Sequence, residues 1–233
     1  MSTRKATLML GLKHSTVKLV PHSYKWRYLF QEEVINIRKV LDNRGLRIEH
    51  VGSTALRGIV AKPILDMFSP CEDLSTVADY VEPLAKLGYE LVTDGSAYKL
   101  FIKGSEEART HHLTFTSEKG AYWQETIQFR DYLLEHPEIA KAYEAEKIVL
   151  AEQYATSRRN YSSNKARFIQ TVLREINSTA TTKELQSPLP LLSTHINPKA
   201  ITVTQSGIEG FIDSGKLNEK PVSQFRRQDA KRL

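Results

Sequence analysis

The sequence predicts an α/β or α+β protein, with a sheet domain, a helical C-terminal half and a tail. Three observations predict it. Short apolar runs bounded by Gly, Pro or Ser alternate with amphipathic segments up to residue 116. Apolar residues then recur at helical spacing from Gly120 to about Ile176. Beyond Asn177 the chain is rich in Ser, Thr and Pro and has no sustained period.

The first helix is predicted over residues 23–43, where apolar side chains recur every three or four positions and Gly45 suits the position after the helix end. Two strands follow at 46–51 and 62–69, joined by a loop of ten residues.

A second helix is predicted at 74–87, with a kink at Pro83 because proline lacks the amide hydrogen. Three strands come next, and the first two are joined by a hairpin turn. They are expected at 89–93, 98–103 and 111–116.

The C-terminal half is predicted to form three helices. His136-Pro137 separates the first from the second, and the polar stretch 157–164 separates the second from the third. The predicted boundaries are an N-terminal extension (1–16), a main domain (17–177) and a basic tail (178–233), which is either partly disordered or partner-binding.

Composition excludes several classes of protein. With 40% hydrophobic residues and a net charge of +6 over 233 residues, the chain is too apolar to be disordered and too charged for a membrane protein. Cys71 is the single cysteine, which rules out an intramolecular disulfide and a cysteine-based zinc site. We found no transmembrane run and no convincing signal peptide, so we expect a cytoplasmic protein. The modest basic excess makes nucleic acid an unlikely partner.

The segment from residue 48 to residue 68 is the most informative for chemistry. A strand ending in Gly52-Ser53 places backbone amides and a hydroxyl at a sharp turn, which can hold a phosphate group, and Gly52 lets a ligand approach closely. Asp66 follows in an apolar strand, where a carboxylate is costly unless it is paired or binds a metal. A Gly-Ser turn followed by an acidic strand is typical of polymerase-β-like nucleotidyltransferases, which hold Mg²⁺ against a triphosphate.

Structural explanations stay open for these residues. Ser53 could only shape the turn, and Asp66 could pair with Lys62, Arg109 or His112. Lys62 could reach phosphate or remain solvated.

Two features of the helical half favour structural roles. Arg130 and Asp131 are interpreted as fold support, with Tyr161 or Lys165 as partners. Tyr122 resembles a residue of a helix core face more than a base-stacking platform.

Residues 17–176 resemble the GrpB family, also called UPF0157, which is assigned to the nucleotidyltransferase superfamily. Five blocks carry the resemblance: PHSYKW, IEHVGSTAL with AKPILD, THHLTF, FRDYLLEHPEIAKAYEAEK and YSSNKARFI. The resemblance implies a nucleotidyltransferase fold with a mixed sheet and a nucleotide site. It implies phosphate binding at Gly52, Ser53 and Thr54, and metal binding at Asp66.

Three departures from the superfamily or family pattern bear on the implied metal and phosphate sites. Position 68 is Phe, where the superfamily has a second carboxylate two residues after the first. The family's His-His-Leu-His strand reads HHLT, so His112 shares its strand face with Thr114. The family's Val-Pro-Gly loop contains Arg57, which adds a charge beside the expected phosphate site.

The leading hypothesis is a protein that binds ATP or another nucleoside triphosphate with Mg²⁺, with nucleotidyl transfer to an unknown acceptor as a further step. Asp66 and His112 would bind the metal, and Asp66, Ser53 and His112 would form the catalytic set. Lys62 and Arg57 would balance the phosphate charge. The alternative is a catalytically inactive interaction module whose tail recruits a partner.

Overall fold

A computed structural model describes residues 10–181, and its elements follow the predicted order. They are α1 (Lys25–Val40), β1 (Glu49–Val51), a first 3₁₀ helix (Ser53–Ala55), β2 (Leu65–Cys71), a second 3₁₀ helix (Leu74–Tyr80), α2 (Val81–Ala85), β3 (Tyr89–Asp94), β4 (Tyr98–Ser105), β5 (Ala108–Ser117), α3 (Ala121–Glu135), α4 (Pro137–Gln153) and α5 (Arg158–Thr181).

The five strands form one mixed sheet in the order β1-β2-β5-β4-β3. Only β2 and β5 run parallel, and their register places Asp66 opposite His112 and Phe68 opposite Thr114. The remaining neighbours pair antiparallel. This confirms the predicted α/β class with a mixed sheet and a helical part after it.

The two faces of the sheet are covered differently. Met67, Phe101 and Leu113 face α1 and α2, where they form a core with Val34 and Ile37 of α1. Because side chains alternate along a strand, the residues between them point to the opposite face, beneath α3 and α5.

Helices α3, α4 and α5 pack around a second core, which also holds the loop after β1. Leu56 and Ile59 of that loop are almost completely buried among Phe129 of α3, Tyr143 of α4 and Val172 of α5. The helical half therefore fixes the loop that precedes β2.

Several predicted boundaries were wrong. Helix α1 ends at Val40, and Asp42 rather than Gly45 has a positive φ, of 46°. The break in the second helical segment comes before Pro83, which lies in the first turn of α2, where a missing amide hydrogen costs little. Helix α5 already begins at Arg158, so most of the polar stretch 157–164 is helical.

The strands at 46–51 and 62–69 are shorter or later than expected. The first starts only at Glu49, and the second starts at Leu65, after Pro63. The hairpin between β3 and β4 and the break at His136-Pro137 are confirmed.

The described part of the predicted N-terminal extension contacts the sheet domain. The Gly11 amide donates to the Pro63 carbonyl at 2.8 Å, and the Leu12 amide donates to the Arg109 carbonyl at 3.0 Å. Leu10 and Leu12 are both buried. The predicted tail lies outside the described residues from position 182 onward.

Candidate functional site

A cavity of about 190 Å³ lies between the sheet and helices α3 and α5. Its floor includes Asp66, Phe68, His112 and Thr114, which the parallel pairing of β2 with β5 places side by side. The prediction that His112 and Thr114 share a strand face is confirmed.

Asp66 and His112 form a hydrogen-bonded pair on this floor. Nδ1 of His112 lies 2.8 Å from Oδ1 of Asp66, and the two side chains are 39% (Asp66) and 15% (His112) exposed. Burial raises the pKa of Asp66, but the hydrogen bond from His112 and the positive charges of Lys165 and Lys62 outweigh it and hold the pKa at about 2.

Burial lowers the pKa of His112 below its ordinary value, although Asp66 opposes this effect. At neutral pH the pair is therefore a carboxylate and a neutral imidazole, with Nδ1–H donating to Asp66. Nε2 of His112 is buried and has no hydrogen-bond partner among the described residues. Of the structural partners predicted for Asp66, His112 is the one that forms a hydrogen bond with it.

Gly52 lies directly against Asp66. Its φ of 69° and ψ of −170° belong to a region that only glycine adopts readily. An added Cβ would be 2.6 Å from Oδ2 of Asp66. We expected the missing Cβ to admit a ligand, but the space is filled by the Asp66 carboxylate.

Four cationic side chains line the same cavity: Lys62 just before β2, Arg130 on α3, and Arg158 and Lys165 on α5. Burial and the charges of Arg158 and Lys165 lower the pKa of Lys62 well below its ordinary value. Among the described residues that line the cavity, Asp66 is the only acid. The cavity therefore carries an excess of positive charge.

Helix α4 holds the loop that leads to Lys62. Lys141 Nζ donates to the Gly58 carbonyl at 2.8 Å, and the Val60 amide donates to Oε1 of Glu144 at 2.6 Å. Lys147 is fully buried and donates to the Val60 carbonyl. Burial, and then the charge of Lys165, lower the pKa of Lys147 to about 7.

An aromatic wall faces the other part of the cavity. Tyr122 lies between Phe68 and Tyr98, at ring centroid distances of 5.0 and 5.1 Å. All three line the cavity. Tyr122 also packs against the buried cluster of Val51, Phe68 and Trp123, as its predicted place on a helix core face requires. Trp123, the next residue, is buried as expected.

Three predicted site residues are absent from the described cavity lining. Ser53 instead approaches the Tyr143 hydroxyl, at 3.5 Å. Thr54 is buried, and its hydroxyl contacts Nε2 of His50 at 2.9 Å. Arg57 is exposed. Gly52, Lys62, Asp66 and His112 do meet in the cavity.

Sequence reasoning missed the contribution of α5. Arg158, Ser162 and Lys165 line the cavity together, and their spacing of four and three residues places them on one helix face. That spacing was a usable signal. Arg130 also lines the cavity, but it pairs with Glu49 and Asp131, each at 2.8 Å, rather than with Tyr161 or Lys165.

The donor set does not fit a resident Mg²⁺. The ion prefers oxygen ligands and usually binds one or two carboxylates with water or phosphate. Asp66 is already hydrogen-bonded to His112, and lysines stand close enough to lower its pKa. No group of three or more His, Cys, Asp or Glu residues able to hold a metal occurs in the described part of the chain.

The mixed sheet, with an Asp-His pair on its floor under a helical part, defines an α/β protein with a helical C-terminal part. The GrpB protein family model matches residues 16–175, so the chain belongs to the GrpB family.

Individual relatives agree with this assignment. Glutamate-rich protein GrpB from Alkalihalophilus pseudofirmus is 34% identical over 174 residues, which cover 72% of this chain and 100% of the relative. The crystal structure of GrpB from Enterococcus faecalis is 27% identical, with a TM-score of 0.63, over 70% of this chain and 99% of that one.

A more distant similarity is to terminal uridylyl transferase 4 from Trypanosoma brucei with bound UTP. The identity is 15% and the TM-score is 0.40, over 70% of this chain and 58% of that one. Among the described residues, no helix combines the length and apolar character needed to cross a membrane.

Proposed function

We propose that the cavity binds a nucleoside triphosphate, either ATP or another one, and that transfer of its nucleotidyl group to an unknown acceptor follows. The observation that carries the proposal is the convergence of Lys62, Arg158 and Lys165 on a floor whose described acid is Asp66. Clustered cations favour a multiply charged phosphate chain.

The aromatic wall supports a nucleotide over a simple anion. Phe68, Tyr98 and Tyr122 offer ring surface to a base, and stacking on an aromatic side chain stabilises a bound base by about 1–3 kcal/mol. The cavity is smaller than the roughly 300–1,000 Å³ of most small-molecule sites. Part of the nucleotide would therefore extend beyond it.

Mg²⁺ enters this proposal as part of the substrate, bound to the triphosphate. In the transfer step, an acceptor hydroxyl attacks the α-phosphorus, the bond to pyrophosphate breaks, and His112 takes the hydroxyl proton on Nε2. Asp66 supports this role because its hydrogen bond fixes the neutral imidazole with Nδ1 protonated.

An inactive binding module is the second candidate function. Phe68 and Thr114 both line the cavity. The resemblance to the family implies a second carboxylate of the superfamily at position 68 and a histidine at position 114, and this chain has neither. Both residues favour binding without turnover.

Calorimetric titration of the full chain with the four ribonucleoside triphosphates, with and without Mg²⁺, tests the proposal. We expect at least one nucleotide to bind. We expect Lys62→Met, which removes one cation, to weaken the affinity for that nucleotide by about tenfold or more. Lys39→Met removes an exposed cation of α1 and serves as the control. No heat of binding from any nucleotide in either condition would exclude the proposed ligand.

Pyrophosphate release separates the two candidates. A protein that binds nucleotide and releases pyrophosphate with an acceptor present is a transferase. Binding without release across a panel of acceptors supports the binding module.

A further inference from the structure

We propose that the cationic end of the cavity binds a phosphoryl group directly, with Lys62, Arg158 and Lys165 in the place of a divalent metal ion. The inference rests on the proposed function, because it specifies how the same cavity would hold phosphate. It predicts that the phosphate group binds in the absence of any metal.

The first argument is the state of Asp66. Oδ1 accepts the hydrogen bond from His112 at 2.8 Å, and Oδ2 is so close to Gly52 that a Cβ there would be 2.6 Å away. Oδ1 is therefore already engaged, and a metal ion that bound at this oxygen would have to displace the His112 contact. The carboxylate acts as the orienting partner of a histidine.

The second argument is the state of the lysines. Neither Lys62 nor Lys165 has a carboxylate within salt-bridge distance in the described part of the chain. Lys62 Nζ instead lies 5.2 Å from the centre of the Tyr161 ring. Both lysines are partly buried, and a partly desolvated ammonium group without a nearby carboxylate is stabilised when an anion binds beside it.

The third argument is the amount of charge. Lys62, Arg158 and Lys165 outnumber Asp66, the acid among the described lining residues, and this balance favours an anion such as a phosphoryl group. A divalent cation would add to the excess, while a phosphoryl group would neutralise it. Burial, and then the charges of Arg158 and Lys165, lower the pKa of Lys62, and an anion bound beside it would stabilise its charged form.

The site is also held in shape before any ligand binds. Glu144 and Lys147 fix both polar groups of the Val60 peptide, two residues before Lys62. Arg158 and Lys165 are on one face of a single helix. Prepositioned donors bind a phosphoryl group without the cost of ordering a loop.

Two sources could supply the group: the phosphate chain of a nucleotide, or free phosphate and pyrophosphate. The test titrates the full chain with ATP, with sodium pyrophosphate and with sodium phosphate, each in EDTA and in MgCl₂. We expect ATP and pyrophosphate to bind in EDTA, and Lys165→Met to weaken both by about tenfold. Lys165→Arg should restore most of the affinity, and Lys39→Met should leave it unchanged.

The outcomes separate this inference from the proposed function. Binding of ATP only in MgCl₂, abolished by EDTA, overturns metal-independent binding and leaves the nucleotide proposal standing. Binding of pyrophosphate or phosphate in EDTA without any binding of ATP supports the phosphoryl site and overturns the nucleotide ligand. Absence of binding under every condition overturns both.

A second measurement avoids the variants altogether. The melting temperature of the unmodified chain in EDTA should rise with pyrophosphate concentration, because a ligand that binds only the folded state stabilises it. An equal rise with sodium sulfate at the same ionic strength would show general anion stabilisation and would overturn a specific phosphoryl site.

Discussion

Two neighbouring histidines on β5 show how differently the two faces of the sheet use charge. His111 points toward α1, beside Glu33 and Lys103, whereas His112 points into the cavity beside Asp66 and Lys62. On the α1 face one cation meets one anion. On the cavity face the cations outnumber the acid, which is the arrangement expected of a surface that recognises an anion.

The pair on the α1 face is complete in itself. Lys103 Nζ donates to both carboxylate oxygens of Glu33, at 2.8 and 2.9 Å, and Glu33 is 5% exposed. A buried pair with both partners present supports the fold but has no charge left for a ligand.

The largest expected effect comes from breaking that complete pair. Lys103→Met leaves the Glu33 carboxylate buried without its cation, and we expect a loss of about 3 kcal/mol in the free energy of unfolding. Urea denaturation measures the loss. The double variant Glu33→Leu/Lys103→Met should recover most of it, and a double variant as unstable as the single one would argue against stranded charge as the cause.

The substitution Gly52→Ala should have the next largest effect, because it disturbs both the backbone and the Asp66 carboxylate on the cavity face. We expect about 2 kcal/mol of destabilisation, together with weaker binding of phosphate. Gly58→Ala is the matched control, since its φ of 71° is similar but an added Cβ would have no neighbour within 4 Å. If the two variants lose equal stability, the contact with Asp66 has no energetic consequence.

The free energy of unfolding should depend on pH because the pKa of Lys147 differs between the folded and unfolded states. Its pKa is about 7 in the folded chain and 10.5 when unfolded, so the unfolded state binds more protons between these values. Stability should therefore rise with pH, by about 2 kcal/mol from pH 7 to about pH 9. Chemical denaturation at each pH should show this rise in the wild type and a flatter profile in Lys147→Met. Parallel profiles in the wild type and in Lys147→Met would mean that a group other than Lys147 causes the pH dependence.

The smallest expected effects are at two residues that the sequence placed in the site. Arg57→Ala and Ser53→Ala should each change stability by less than about 0.5 kcal/mol, since Arg57 is exposed and the Ser53 hydrogen bond is long. Their nucleotide affinities should equal that of the wild type in calorimetry. A tenfold loss of nucleotide affinity in either variant would show that the segment containing the Gly-Ser turn contributes to binding.

Periodicity and local breakers predicted most of the fold, because they depend on neighbours along the chain. The alternation in HHLTFT correctly placed His112 and Thr114 on one face. The end of α1 was misplaced because Asp42, rather than glycine, has the positive φ. Asparagine and aspartate also tolerate that conformation, so the sequence alone leaves the choice open.

The site was predicted only in part, because it depends on contacts between distant segments. Gly52, Lys62, Asp66 and His112 come from a continuous motif or from a strand that pairs with it. Lys165 comes from a helix about a hundred residues further along, and only the packing of α5 over the sheet shows that it belongs there. The sequence showed Arg57 as a charge near the motif but could not show that it faces solvent.

Because α4 is attached to the loop before Lys62, ligand binding in the cavity and local unfolding of α4 are thermodynamically linked. Lys141, Glu144 and Lys147 cannot leave the loop without releasing the segment that positions one end of the cavity. Amide hydrogen exchange across α4 should therefore slow when a ligand occupies the cavity, even at residues that never touch it. The Val60 amide, which is bonded to Glu144, is the position from which that protection can be followed.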